Sequence, residues 1–209
     1  MSVAVINVAW MSVAVMTYDQ VMGRWEPDSR GRLEQAALAL YSQRGFESTT
    51  VAEIAAQAGV TERTFFRYFA DKREVLFSGA GSLQEFLVST VVGASDSAAP
   101  MDTVVAAFEA AGALLQERLE FARQRQAVIV ANTGLREREL IKLASLASAI
   151  ADTLRRRGVA APAASLAAEA GVAIFRVAFE RWVDDSNQRE LPELIRESLD
   201  QLKAVTAGS

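Results

Sequence analysis

The sequence predicts an all-α protein: an N-terminal helix-turn-helix three-helix domain followed by a larger helical domain. Three observations carry the fold class. Alanine dominates many windows beside Leu, Glu, Arg and Gln, all good helix formers. Only four Pro and 12 Gly interrupt 209 residues. Beyond the first dozen or so residues no stretch alternates at period two for long, whereas apolar residues recur at spacings of three and four.

Composition also excludes chemistry. There is no cysteine, so disulfides, thiolate nucleophiles and Fe–S clusters are ruled out. There is no histidine, which removes the Ser-His-Asp triad and nearly all zinc sites. No P-loop and no dinucleotide-type glycine turn is present. An enzyme, a metal and a cofactor are therefore not expected. Paired carboxylates such as Asp184-Asp185 read as a helix-end loop. The net charge of −4 argues against indiscriminate nucleic-acid binding. By segment, residues 1–22 hold one acid and no base, residues 23–77 hold 8 of each sign, and residues 78–209 hold 14 bases and 17 acids.

Residues 1–22 form an uncharged N-terminal extension up to Asp19, with Met-Ser-Val-Ala-Val at 1–5 and again at 11–15. The first basic residue is Arg24, too late for a secretory n-region. Ser2, Asn7, Ser12 and Thr17 argue against a membrane span. The segment reads as an idle extension, with Met11, Met16 and Met22 as alternative starts, or as an extra helix or strand packing on its neighbour.

From 23 to 77 the elements follow from caps and periodicity. Asp28 or Ser29 caps a helix whose buried face is Leu33, Ala36, Ala37, Leu40 and Tyr41, and Gly45 ends it with Phe46 tucked back. Thr50 and Glu53 have capping-box spacing and open a second helix with Val51, Ile54, Ala55 and Ala58 on one face. Gly59 ends it. Thr61 caps a third helix that buries Phe65 and Phe69 and presents Glu62, Arg63, Thr64, Arg67 and Tyr68 outward. Asp71 and Glu74 form a second box opening a fourth helix. Two short helices about a glycine turn make a helix-turn-helix. Arg side chains can read guanine edges, Thr can touch a thymine methyl or a phosphate, and Arg67, Tyr68 and Lys72 can bind phosphates. The plainer alternative is a packing module with solvated arginines.

The run Gly45-Phe46-Glu47-Ser48-Thr49-Thr50-Val51-Ala52-Glu53-Ile54-Ala55-Ala56-Gln57-Ala58-Gly59-Val60-Thr61, continuing through Glu62-Arg63-Thr64-Phe65-Phe66-Arg67-Tyr68-Phe69-Ala70-Asp71-Lys72, resembles the DNA-binding domain of the TetR family of bacterial regulators. The resemblance covers about residues 30–77. It places Thr50 at a phosphate, Glu62, Arg63, Thr64 and Phe66 at bases or backbone, and Tyr68 and Lys72 at phosphates. Phe66 stands where the family often has Tyr, and Glu62 would repel phosphate.

Residues 78–209 read as further helices near 102–116, 119–131, 135–157, 163–184 and 190–206, with a loop at 93–100. Gly79 and Gly81 can bend the helix begun at Asp71. Arg155-Arg156-Arg157 suits the negative end of a helix dipole. Ala164, Ala168, Gly171, Phe175, Ala178 and Trp182 follow at spacings of four, three, four, three and four, and Leu199 lies on the last helix. Periodicity leaves this stripe open between internal packing and a subunit interface; the resemblance implies a homodimer interface. Phe86, Phe108, Leu115, Phe121, Val128, Leu146, Ile150 and Ile174 are plain core by periodicity and candidate lining of an inducer cavity by resemblance. Arg118, Arg123, Arg125 and Arg176 are candidate anchors for an anionic head group. A faint resemblance points to family subgroups that bind fatty acyl-CoA esters.

The resemblance thus implies a cytoplasmic, dimeric repressor that binds a palindromic double-stranded DNA operator and is released by an unidentified small-molecule inducer, apolar or amphipathic, with no membrane partner. The helix begun at Asp71 would be the hinge. The alternative is a helical adaptor of the same fold that does not bind DNA specifically.

Overall fold

The structure, a computed structural model, describes residues 28–207. The readings of residues 1–22 lie outside the described residues. Among those described, nine α-helices and two short 3₁₀ turns follow one another and no strand occurs. The helices are α1 (Ser29–Arg44), α2 (Val51–Gln57), α3 (Glu62–Tyr68), α4 (Ala80–Val92), α5 (Pro100–Leu115), α6 (Leu119–Val130), α7 (Thr133–Arg156), α8 (Ala161–Trp182) and α9 (Leu191–Thr206). Pro100, Pro162 and Pro192 each sit in the first turn of a long helix, where a missing N–H leaves nothing unpaired.

The helix expected from Asp71 forms differently. Asp71 does cap it, accepting from the backbone N–H of Arg73 at 2.8 Å and of Glu74 at 3.1 Å. The first turn, Glu74–Phe77, is 3₁₀, and the α-helix starts only at Ala80. Ser78 and Gly79 stay right-handed helical, so the change of winding does not become a break. Glu74 is not the reciprocal partner of a box, because its carboxylate is held by α7 instead.

Two apolar cores result. The smaller gathers Leu33, Ala37, Tyr41, Ile54, Phe65 and Phe69 with Val75–Phe77, and extends into Val128, Ile129 and Leu135 of α6 and α7. The larger lies among α4, α5, α7, α8 and α9. An aromatic ladder runs through it: Phe108 stacks on Phe175 at 5.0 Å, followed by Phe179 and Trp182. Gly171 sets the α5–α8 approach, since a Cβ there would lie 2.3 Å from Val104 Cγ1 and 3.3 Å from Phe108. Two stretches, Glu74–Val92 and Ala161–Trp182, have the length and apolar composition of a membrane-crossing helix. Both turn residues into the large core, Leu87 and Val91 from the first and Ala164 to Trp182 from the second.

Candidate nucleic-acid interface

Local chemistry fixes the α2–turn–α3 unit. Thr50 and Glu53 complete the predicted box: Glu53 Oε2 accepts from the Thr50 N–H at 2.8 Å, and Thr50 Oγ1 accepts from the Glu53 N–H at 3.3 Å. The bond from the Thr50 backbone, then the one from its hydroxyl, holds the Glu53 carboxyl below its ordinary range. Gly59 takes φ +70, a left-handed conformation that side chains resist, and lets the Val60 N–H reach back to Ala55 O at 2.9 Å. Ile54, Ala55 and Ala58 are buried at the turn. Thr61 caps α3 through the Thr64 N–H at 3.2 Å. Phe65 and Phe69 then point into the core.

This anchoring brings Glu62, Arg63, Phe66, Arg67 and Tyr68 onto one exposed surface, with Thr64 half-buried and its hydroxyl 3.1 Å from that of Thr61. Arg63, Thr64, Phe66 and Arg67 line a concavity of about 620 Å³. The Arg67 guanidinium lies over the Tyr68 ring at 4.8 Å and donates to its hydroxyl at 3.0 Å. Thr50 is exposed at the start of α2, its hydroxyl donating to Glu53 at 2.8 Å. Lys72 is placed differently from a free phosphate ligand. Its ammonium donates to the carbonyls of Phe46, Glu47 and Thr49 at 2.9, 3.2 and 2.9 Å and sits 4.5 Å from the Phe46 ring centre. All three of its N–H donors hold the loop that leads into α2.

Behind this surface lies a polar junction that periodicity does not reveal. Glu74 receives Arg138 and, at 3.3 Å, Lys142, both from α7. Arg125 of α6 donates to Leu76 O at 2.7 Å and to Glu139 at 3.0 Å, over the Phe77 ring. Burial pulls the Arg125 guanidinium below its ordinary value, with Glu139 opposing. Tyr41 donates to Lys72 O at 2.6 Å, and burial pushes its hydroxyl pKa up. Asp71 ends below its ordinary value: partial burial raises it, and hydrogen bonds from the Arg73 side chain and the Glu74 and Arg73 backbone outweigh that. Single charges on helix faces gave no signal of this. Only the tertiary fold shows that the bases of α6 and α7 meet the 3₁₀ turn.

The predicted cavity residues do not share one lining. Phe108, Leu146, Ile150 and Ile174 are buried in the large core, and Phe86 and Leu115 pack against it. Phe121 and Val128 instead belong to the small core, because α6 lies against α1. Of the candidate anchors, Arg123 donates to Val183 O and Asp184 O, Arg118 sits over Phe121, and Arg176 is exposed. Arg157 does bind the negative end of a helix, but that of α4, through Val91 O, Ala94 O and Ser95 O. The predicted interface stripe faces inward. Ala164, Ala168, Ala178 and Trp182 are 0% exposed, Phe175 and Gly171 are buried, and Leu199 packs on the same core. Small residues there admit α5 of the same chain, not a second subunit.

Comparison with known proteins matches both halves. Residues 34–78 fit the family model for bacterial regulatory proteins of the tetR family, and residues 98–207 fit the MftR C-terminal domain. The chain belongs to the TetR family. This TetR-family chain is 34% identical over 82 residues to the HTH-type transcriptional regulator TcmR of Streptomyces glaucescens, a match covering 39% of this chain and 36% of TcmR. Its fold is shared with Thermus thermophilus FadR, a TetR-family transcriptional repressor solved with lauroyl-CoA (24% identity, TM-score 0.51, 83% of this chain and 93% of that one). It is also shared with FadR of Bacillus subtilis solved with stearoyl-CoA (19% identity, TM-score 0.57, 82% and 96%). The chain is a TetR-family transcriptional regulator with a helix-turn-helix and a helical C-terminal domain.

Proposed function

We propose that this cytoplasmic regulator is a repressor that binds a palindromic operator as a homodimer and is released by a small apolar or amphipathic inducer, with no catalytic role. The observation that carries the reading is a recognition helix whose exposed Arg63, Phe66 and Arg67 are braced from behind by the small core. In this reading α3 enters the major groove, Arg63 meets a base edge, and Thr50, Arg67 and Tyr68 fix register on phosphates. Lys72 supports this indirectly by ordering the loop before α2.

The dimer would form through the outward face of α8. Leu166 is 71% exposed and Val177 is 42% exposed, and with Ala170 and Ala173 they make an apolar stripe at spacings of four, three and four. The inducer would enter the large core among Phe86, Phe108, Leu115, Leu146, Ile150 and Ile174 and part α5 from α7 and α8. The acyl-CoA in the FadR structures makes lauroyl-CoA the first probe. Displacement of α7 would reach the recognition helix through Arg138, Lys142 and Arg125 at the 3₁₀ turn. The ligand can shift the two states only by its differential affinity for them.

The test is binding of the full chain to duplexes selected from random sequence and to the DNA upstream of its own gene, over a range of salt. The expected result is a discrete complex that survives competitor, with log affinity falling linearly in log salt. Arg63→Ala should lose about 1–3 kcal/mol of discrimination at one base pair. Weak binding, equal on every duplex, would favour the adaptor alternative.

A further inference from the structure

We infer that Phe66 reads a thymine C5-methyl group in each operator half-site, an assignment that rests on the DNA-binding reading above. All ten phenylalanines lie in the described residues, and nine are buried or half-buried. Phe66 alone is exposed, at 55%, in the middle of the recognition surface. The ring is not loose. It stands edge-on to Phe65, with centroids 5.4 Å apart and planes at 82°, and Phe65 is 0% exposed and braced in turn by Phe69 at 5.5 Å. The core therefore braces one edge of the ring.

A phenyl ring carries neither donor nor acceptor, so it cannot hold a phosphate or a polar base edge. The apolar group that the major groove offers is the thymine methyl. Beside that methyl, thymine presents the O4 acceptor, and Phe66 shares its concavity with Arg63 and Arg67. One thymine edge thus matches both the ring and a flanking cation. Cytosine fails twice there, since it lacks the methyl and turns an N4 donor toward the cations. The ring serves specificity, and its neighbours supply charge.

The test replaces each thymine of a selected high-affinity duplex, one at a time, by deoxyuridine, which removes only the methyl. Wild-type protein should lose roughly fourfold in affinity at one symmetry-related thymine per half-site, the worth of burying one methyl group. Phe66→Ala should bind more weakly overall and be indifferent to uracil at that thymine. Phe66→Leu, which keeps an apolar side chain, should retain part of the sensitivity. Phe66→Ala gives up only the edge contact with Phe65, so its melting temperature should fall little, and that of Phe66→Leu less. A flat uracil scan with the wild-type protein overturns the assignment while leaving DNA binding intact, and so does undiminished sensitivity in Phe66→Ala. Failure of the wild-type chain to select any sequence overturns the DNA-binding reading and this assignment with it.

Discussion

Position 171 shows how much one missing side chain decides. Glycine in a helix interior costs about 1 kcal/mol relative to alanine by propensity alone. Here α8 carries that cost so that Val104 and Phe108 of α5 can close on it. Gly171→Ala should therefore destabilise the chain although alanine is the better helix former. The added Cβ would lie 2.3 Å from Val104 Cγ1, a buried branched side chain with little room to turn. Overpacking of this kind costs about 1–3 kcal/mol, to be read as a lower midpoint in urea or thermal unfolding. An unchanged or higher midpoint would show that α5 and α8 are less tightly apposed than described. Lys72 is a second case in which a residue's identity misleads. A lysine beside a recognition helix reads as a phosphate ligand, yet its ammonium is taken up by three carbonyls of the 46–49 loop.

Among elements, α2 and α3 were the most legible, because each is too short to be stabilised by anything but its caps and its buried face. Thr50 with Glu53, Gly59 and Thr61 announce their ends by local chemistry, and all three behave as read. That chemistry has a pH signature. Glu53 titrates below its ordinary value in the fold, so its box contributes stability that is fully present above the unfolded value, about 4.3, and fades as pH falls through the lower folded one. Asp71 has the same sign. Thermal midpoints should thus decline on acidification below about pH 4, the ordinary carboxylate range. Thr50→Ala, which removes the hydroxyl bond to Glu53, should lower the midpoint at neutral pH and make the decline shallower. An equally steep decline in the variant would place the acid sensitivity elsewhere. The 3₁₀ turn after Asp71 was not legible in the same way. Its capping carboxylate is local, but the reassignment of Glu74 depends on Arg138 and Lys142, more than sixty residues away.

For the whole molecule, sequence periodicity shows which side of a helix is apolar but not what that side meets. The Ala164–Trp182 stripe has the small and aromatic pattern of an interface, and it is one, between α8 and α5 of the same chain. Likewise Phe121 and Val128 read as part of the large body and pack in the small core, tying the two together. With the inward face of α8 accounted for, its outward face becomes the place to test assembly. Leu166, Ala170, Ala173 and Val177 are flanked along one side by the exposed charges of Glu169, Arg176 and Glu180, an apolar strip with a polar edge. In a two-fold interface one substitution acts twice, because the same patch faces itself. Leu166→Arg should bring two guanidinium charges into the apolar strip, one from each subunit, and shift the chain to monomer in light scattering or sedimentation. Its unfolding midpoint should stay near that of a monomeric reference, since Leu166 is 71% exposed within the chain. DNA affinity should collapse in parallel, because a single recognition helix keeps only half of the phosphate contacts and about half of the salt slope. A dimer that persists in Leu166→Arg would move the interface off this face, and α9 would be the next surface to probe.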